Sequence, residues 1–356
     1  MTKEIADSLV EKYEFFYKKE IEVQGYNFTL YNYILSDYKA FQDDPLTREL
    51  RGLVTHKDEV FLSVPKFFNI NELPETEYKN VKLKTIKKIQ DKLDGSLITP
   101  ICVGGDIIMK SKGSFESDQA VLAQEIIQDN PELQFFILDT YANNFQPFFE
   151  LIGPDNEHVI EYPLKENELR LIMVRDREGH FMDIDKFDYK NKAETMNYTL
   201  DEMLEIQKTK KGIEGFVVKF TDETILKIKT LDFFELHKIK DEADSYKVIL
   251  KRILQEDMDD ILSIVTKQKR DKLLDITEVV SKYVVHEVQK IEKIKEETKN
   301  QDRKTIAIKY HTMEYFNVLM KSLNGGSIKD ELIEIMIAKY NREGKAKEFI
   351  QGLKGV

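Results

Sequence analysis

Cysteine is nearly absent from this 356-residue chain, where Cys102 stands alone. One thiol cannot build an intramolecular disulfide framework or a cysteine-based zinc finger, and such scarcity fits a reducing compartment. Proline is sparse, and no proline-rich linker, low-complexity tract or internal repeat interrupts the chain. No apolar run approaches the ~18 residues that a membrane span needs. Near the start, Lys3, Glu4 and Asp7 occupy positions where a signal peptide would need an apolar core. Net positive charge is lacking as well: 54 Lys+Arg against 65 Asp+Glu leave −11. Such a chain is no generic polyanion binder, so contact with nucleic acid would need a local basic patch. These absences predict a cytoplasmic protein.

What is present is an ordinary soluble composition, 41% hydrophobic and 33% charged. At ~150 residues per domain, the length suggests two domains. Ile5, Leu9, Tyr13 and Phe16 fall at helical spacing and predict an N-terminal helix. Three hairpins follow: 51–56 with 60–65, 97–103 with 106–112 across Gly104-Gly105, and 216–220 with 225–228. Helices are predicted at 116–129, 131–143 and 199–209. After residue 242 the pattern changes. Leu273, Ile276, Val280, Tyr283, Val284, Val288, Ile291 and Ile294 predict one long amphipathic helix over about 271–298. Ser327, followed three residues later by Asp330, opens another after the Gly325-Gly326 turn. From Ala243 onward, 22 Lys+Arg face 19 Asp+Glu, a net of +3 against −14 for the rest. A mixed acidic module over 1–242 therefore precedes a weakly basic, all-helical module over 243–356.

Three motifs carry chemistry. Lys92-Leu93-Asp94-Gly95-Ser96 puts a lysine at the end of a β-run, in a turn that Gly95 permits. Glu214-Gly215-Phe216-Val217-Val218 opens a later strand, and Lys227-Ile228-Lys229 follows it. Alternation sends Lys227 and Lys229 out of one strand face. A hairpin would bring them toward Glu214. Taken singly, each motif also reads as a solvated turn or a charged outer strand face.

In this order, with Phe148-Phe149-Glu150 between the first and second, the motifs resemble the covalent nucleotidyltransferases, the polynucleotide ligases and RNA capping enzymes. Further segments are similar to the phage-type RNA ligase 1 family: Tyr31-Asn32-Tyr33, Glu49-Leu50-Arg51-Gly52-Leu53, Lys66-Phe67-Phe68-Asn69, Ser111-Lys112-Gly113-Ser114, Val174-Arg175-Asp176 and Asp302-Arg303-Lys304-Thr305. The resemblance spans essentially the whole chain. It implies an α+β nucleotidyltransferase domain of antiparallel sheets with flanking helices, then an all-α C-terminal domain that chooses the RNA. It also implies an ATP-dependent RNA ligase using Mg²⁺ or Mn²⁺, working in three steps through lysyl-AMP and adenylated RNA.

The resemblance assigns roles. Lys92 is the nucleophile. An ordinary lysine, with pKa ~10.4, is protonated at neutral pH, so burial and neighbouring cations must favour its neutral form. Arg51, Lys66, Lys112, Lys227 and Lys229 surround the phosphates, where arginine offers bidentate contact and lysine a point charge. Glu150 lies near the ribose. Glu214 organises metal-bound water, with Asp94 and Asp259 as further metal contacts, because Mg²⁺ binds through one or two carboxylates and keeps waters. Phe216, Val217 and Met173 are candidate walls for adenine, or simply core. His237 matches a family position, while Phe233 departs from it by replacing a tyrosine. The implied partners are RNA with 5′-phosphate and 3′-hydroxyl ends, such as nicked tRNA, and an end-healing kinase/phosphatase. The implied state is a monomer, in the host cytoplasm if phage-encoded. Two alternatives remain open. A capping guanylyltransferase or DNA ligase would need about five further β-runs for an OB barrel. A non-catalytic RNA-binding repair protein would lack a catalytic residue, and none is lacking here.

Overall fold

A computed structural model describes residues 1–156, 160, 162–232 and 244–354. The chain forms two compact units, Met1–Tyr33 with Ala40–Leu236, and Ile34–Lys39 with His237–Val356. The sequence-derived boundary at 242/243, with Phe233, His237 and His158, lies outside the described residues.

Among the described residues, the first unit carries thirteen strands in three sheets. The first runs β1 (Phe16–Val23), β2 (Tyr26–Tyr33), β3 (Leu53–His56) and β4 (Glu59–Phe61), each antiparallel to the next. The second has the order β10 (Glu168–Asp176), β9 (Phe145–Ile152), β7 (Ser96–Val103) and β8 (Asp106–Lys110). The third has the order β11 (Thr195–Met196), β6 (Ile86–Lys92), β12 (Gly215–Phe220), β13 (Ile225–Lys229) and β5 (Phe68–Asn69). Around them lie α1 (Lys3–Lys12), α2 (Tyr38–Asp43), α3 (Tyr78–Val81), α4 (Asp118–Gln128), α5 (Pro131–Ala142) and α6 (Leu200–Thr209).

Local chemistry explains these elements. β7 and β8 meet across Gly104 and Gly105, whose φ values of 61° and 93° suit a two-residue hairpin turn. Asn130 accepts from the Leu133 amide, and Pro131 sits at the first helical position of α5. Thr199 and Glu202 cap the start of α6 reciprocally. The predicted N-terminal helix is shorter than its apolar spacing suggested. It stops at Lys12, and Phe16 instead opens β1, where its ring meets Tyr33 and Phe41 edge-on. Burial there comes from the sheet.

Apolar clusters back the second and third sheets. Phe149, Leu151 and Leu171 pack beneath α4 and α5 with Ala123, Leu133 and Ile137. Ile89, Phe216, Val218, Leu226 and Ile228 pack with Met203 of α6. The opposite face of that third sheet carries the polar residues described below.

The second unit contains α7 (Tyr246–Leu254), α8 (Met258–Ile264), α9 (Lys267–Glu297), α10 (Arg303–Tyr310), α11 (Phe316–Ser322), α12 (Ile328–Lys339) and α13 (Glu343–Lys354). Among described residues from 244 on there is no strand, so the five β-runs of an OB barrel do not occur there. The long helix is present, with Leu273, Val280, Val284, Val288 and Ile291 buried along one stripe. Ser327 caps α12 through the Asp330 amide. Glu343, at the start of α13, accepts from Ser245 Oγ at 2.7 Å and from the Tyr246 and Lys247 amides at 2.8 and 3.1 Å. It thus closes the open N-terminus of α7.

Candidate active site

The register of β6, β12 and β13 sets polar side chains in rows. Gly215 stands opposite both Lys92 and Lys229, and two residues along Val217 stands opposite both Gln90 and Lys227. Alternation puts these side chains on the sheet face opposite the apolar core. Gly215 leaves its row bare. Its φ is 152°, and a Cβ there would overlap the Ile228 carbonyl oxygen. Beside that gap Glu214 meets both lysines: Lys92 Nζ donates to Glu214 Oε2 at 2.6 Å, and Lys229 Nζ lies 3.5 Å from Oε1. Glu214 is 3% exposed, so this carboxylate with two ammonium groups forms a desolvated cluster. The predicted proximity of Glu214 and Lys229 is present.

Lys92 ends β6, and the turn after it is pressed against β9. A Cβ on Gly95 would overlap the Leu151 carbonyl and come within 2.8 Å of Glu150 Cγ. Glycine at 95 is therefore a packing requirement. Asp94 is held on both sides: its amide donates to Tyr162 Oη at 2.7 Å, and its Oδ2 accepts from the Ile160 amide at 2.9 Å. Over this turn opens a cleft of about 800 Å³, bounded by Lys92, Gly95, Glu150, Arg51, Met173 and Val217. Burial pushes the Glu150 carboxyl up to about 8, with Lys92 and Arg51 opposing and Glu214 and Asp94 reinforcing the rise.

The other sequence-derived residues divide. Lys227 Nζ sits 5.9 Å from the centre of the Phe67 ring, and Phe67 borders the cleft. Lys112 Nζ lies 5.3 Å from the Tyr33 ring centre. Lys66 borders a neighbouring cleft of about 870 Å³, with Arg48 and Phe68. Phe216 is a correction: it points into the core with Ile89 and Ile228, because a strand cannot turn adjacent residues to one face. Val217 and Met173 remain as walls. Asp259 belongs to the second unit, in the first turn of α8 beside Asp260.

Four residues went unread in the sequence. Lys110 is fully buried; Nζ donates to the carbonyls of Gly52 at 3.0 Å and Lys112 at 3.4 Å. It ties the segment bearing Arg51 to the one bearing Lys112. Burial, aided by the Arg51 charge, pushes its ammonium down to about 7. Gln90 borders the cleft and takes a hydrogen bond from Lys219 Nζ at 2.6 Å. Burial lowers Lys219 to about 7 as well. Asp91 borders the cleft and is raised to about 6, chiefly by burial. Only Gln90 had a usable signal, since alternation back from Lys92 puts it on the same face. Arg175, in Val174-Arg175-Asp176, proves to be a brace. Its guanidinium grips both oxygens of Glu49 at 2.7 and 2.8 Å and the Ser63 carbonyl at 2.6 Å, steadying the chain just before Arg51.

Among the described residues, no group of three or more His, Cys, Asp or Glu converges as a metal cage, and no helix is long and apolar enough to cross a membrane. A lysine paired to a buried carboxylate thus borders a cleft that Arg51 also lines. A family model described as RNA ligase matches residues 49–246, more than half the chain. A protein of Thermovibrio ammonificans classed with RNA ligases is 30% identical over 286 residues, covering 72% of this chain and 73% of that one. An archaeal ATP-dependent RNA ligase structure (form 1) aligns at 14% identity and a TM-score of 0.49, covering 80% of this chain and 78% of that one. An Aquifex aeolicus structure classed with ATP-dependent DNA ligases aligns at 17% and 0.48, covering 82% and 80%. The chain belongs to the RNA ligase family and is an RNA ligase enzyme.

Proposed function

We propose that this enzyme joins 5′-phosphate and 3′-hydroxyl RNA ends with ATP, through lysyl-AMP on Lys92 and adenylated RNA. The observation that carries this reading is the 2.6 Å contact between Lys92 Nζ and Glu214 at the cleft floor. In the first step Nζ attacks the α-phosphorus. An N–P bond forms, the bond to the bridging oxygen breaks, and pyrophosphate leaves. Glu214 Oε2 is placed to take the proton that Nζ sheds. In the second step a terminal oxygen of the RNA 5′-phosphate attacks the AMP phosphorus, the N–P bond breaks, and Lys92 recovers its proton. In the third the RNA 3′-oxygen attacks the activated 5′-phosphorus, loses its proton and expels AMP.

The cations have two tasks. Arg51, Lys227 and Lys229 offset charge building on phosphate oxygens, and they are proposed to hold the polyphosphate in line with Lys92. Lys112 and Lys66 are proposed to extend that field along the polyphosphate. Glu150, with a carboxyl raised to about 8, is largely protonated at neutral pH and can donate to a ribose hydroxyl. The donor set suits Mg²⁺ or Mn²⁺, since Glu214 and Asp94 are hard oxygen ligands and a cation held by one or two carboxylates keeps water. When bound, it would neutralise phosphate charge. Asp259 stays a proposed metal contact of the helical unit.

By this reading residues 1–242 are the adenylyltransferase domain and 243–356 an RNA-specificity domain. The substrate is RNA such as nicked tRNA, prepared by an end-healing kinase/phosphatase, and the enzyme acts as a monomer in the cytoplasm. Mass spectrometry after ATP incubation tests the reading. Wild type should gain one AMP on Lys92. Lys92→Ala should gain none, yet still seal some pre-adenylated RNA. Adenylation of Lys92→Ala at the wild-type rate would refute Lys92 as nucleophile.

A further inference from the structure

Arg175 holds Arg51 from two sides. It lies on β10 and is 3% exposed. Nη1 and Nη2 donate to Glu49 Oε2 and Oε1 at 2.8 and 2.7 Å, Nη1 donates again to the Ser63 carbonyl at 2.6 Å, and Nε to the Gly179 carbonyl at 2.9 Å. Its Cζ sits 5.4 Å from the centre of the Phe181 ring. Glu49 stands two residues before Arg51. Ser63 stands just before Val64, whose carbonyl accepts from Arg51 Nη1 at 3.4 Å. One buried guanidinium therefore anchors both the backbone that carries Arg51 and the carbonyl on which the Arg51 side chain rests. Arg51 itself borders the cleft with Lys92.

Stability does not account for such a pair. The Arg175 side chain is 4% exposed and that of Glu49 18%, so both charges are largely out of water. At that depth desolvation offsets much of the attraction, and apolar side chains of similar volume in place of a buried ion pair often fold as well or better. What apolar side chains cannot supply is direction. A two-point arginine–carboxylate contact fixes separation and plane together. A group that must meet a phosphate needs that direction, because a misplacement of about 1 Å can cost about a hundredfold in rate.

We propose that Arg175, through its ion pair with Glu49, is a positioning residue of the adenylation step that fixes Arg51 for contact with the phosphates of ATP. This rests on the ligase reading above. Arg175 touches no reacting atom, and its effect on the rate passes through Arg51.

The test times self-adenylation of the full-length enzyme at saturating labelled ATP, with Tm measured alongside. Glu49→Leu combined with Arg175→Met removes both charges at once, so neither is left buried alone. This double variant should keep Tm within a few degrees of wild type, yet label at least about tenfold more slowly. In an Arg51→Ala background the same two changes should cost less than about twofold, because residues that act through one another do not add. Arg51→Lys serves as the background if Arg51→Ala labels too slowly to time. Unfolding of the double variant overturns the proposal, since the pair would then be a stability element. A wild-type rate in the double variant also overturns it, as does a tenfold loss that persists undiminished without Arg51. Those outcomes leave the ligase reading standing. No labelling of the wild type with ATP removes both.

Discussion

Lys110 shows what one buried residue can contribute without touching a reacting atom. Its ammonium has carbonyl acceptors, from Gly52 and Lys112, and its pKa falls to about 7 from an ordinary 10.5. Between those values the unfolded chain holds a proton that the folded chain has released. Stability therefore rises with pH across roughly 7 to 10.5, and is lower below 7 where a charged amine must stay buried. Lys110→Met should flatten that rise, read as denaturation midpoint against pH, and should raise the KM for ATP through looser placement of Arg51 and Lys112. An unchanged pH slope would show that Lys110 titrates alike in both states. No sequence signal marks this lysine, because its burial depends on two segments closing over it.

At the scale of elements, strand register places the site. Gly215 is the one position opposite both Lys92 and Lys229, and its backbone is closed to a side chain. Gly215→Ala should destabilise by about 2 kcal/mol or more through strain at positive φ and overlap with β13. It should also slow self-adenylation beyond the loss of folded protein, measured at a temperature where the variant remains folded. Helix capping matters in the second unit. Glu343 seals the N-terminus of α7, and its hydrogen bonds from Ser245, Tyr246 and Lys247 hold its carboxyl below the usual range despite some desolvation. A depressed carboxylate adds stability above its unfolded pKa and loses it as pH falls. Glu343→Gln should therefore lower Tm by a few degrees at pH 7 and by less near pH 4. Hairpins and long helices were legible here because glycine turns and apolar stripes are local. β1 and β2 were not, since KKEIEV on β1 offers little apolar alternation and the sheet forms from distant partners.

Across the whole molecule, charge is unevenly shared. The helical stretch from Ala243 is net +3 and the remainder −14, which makes the helices the place to test for contact with a phosphate backbone. Lys293 is mostly exposed and only 4.0 Å from Glu297; Lys304 is exposed in the first turn of α10. Lys295 and Arg303 flank them in sequence, though Arg303 already donates to Asn324 at 2.7 Å. Lys293→Glu with Lys304→Glu should weaken RNA binding and reduce its salt dependence by roughly one to two in log–log slope. Self-adenylation should be unchanged. Equal affinity and slope in the variant would make this face an ordinary solvated one.

The sequence by itself singled out the candidate set: Lys92, Glu214, Lys227 and Lys229 stand in short motifs whose spacing and order are read without the fold. It also determined the change from mixed to helical structure, because periodicity is a local property. Only the tertiary structure decided which neighbours of those motifs face the cleft. Phe216 and Val217 are adjacent in the chain, yet one packs in the core and the other floors the site. Gln90, Lys110 and Lys219 look like ordinary polar residues until three separate segments bury them. Burial, hydrogen-bond partners and shifted protonation arise from chain segments far apart in sequence, and no local pattern encodes that meeting.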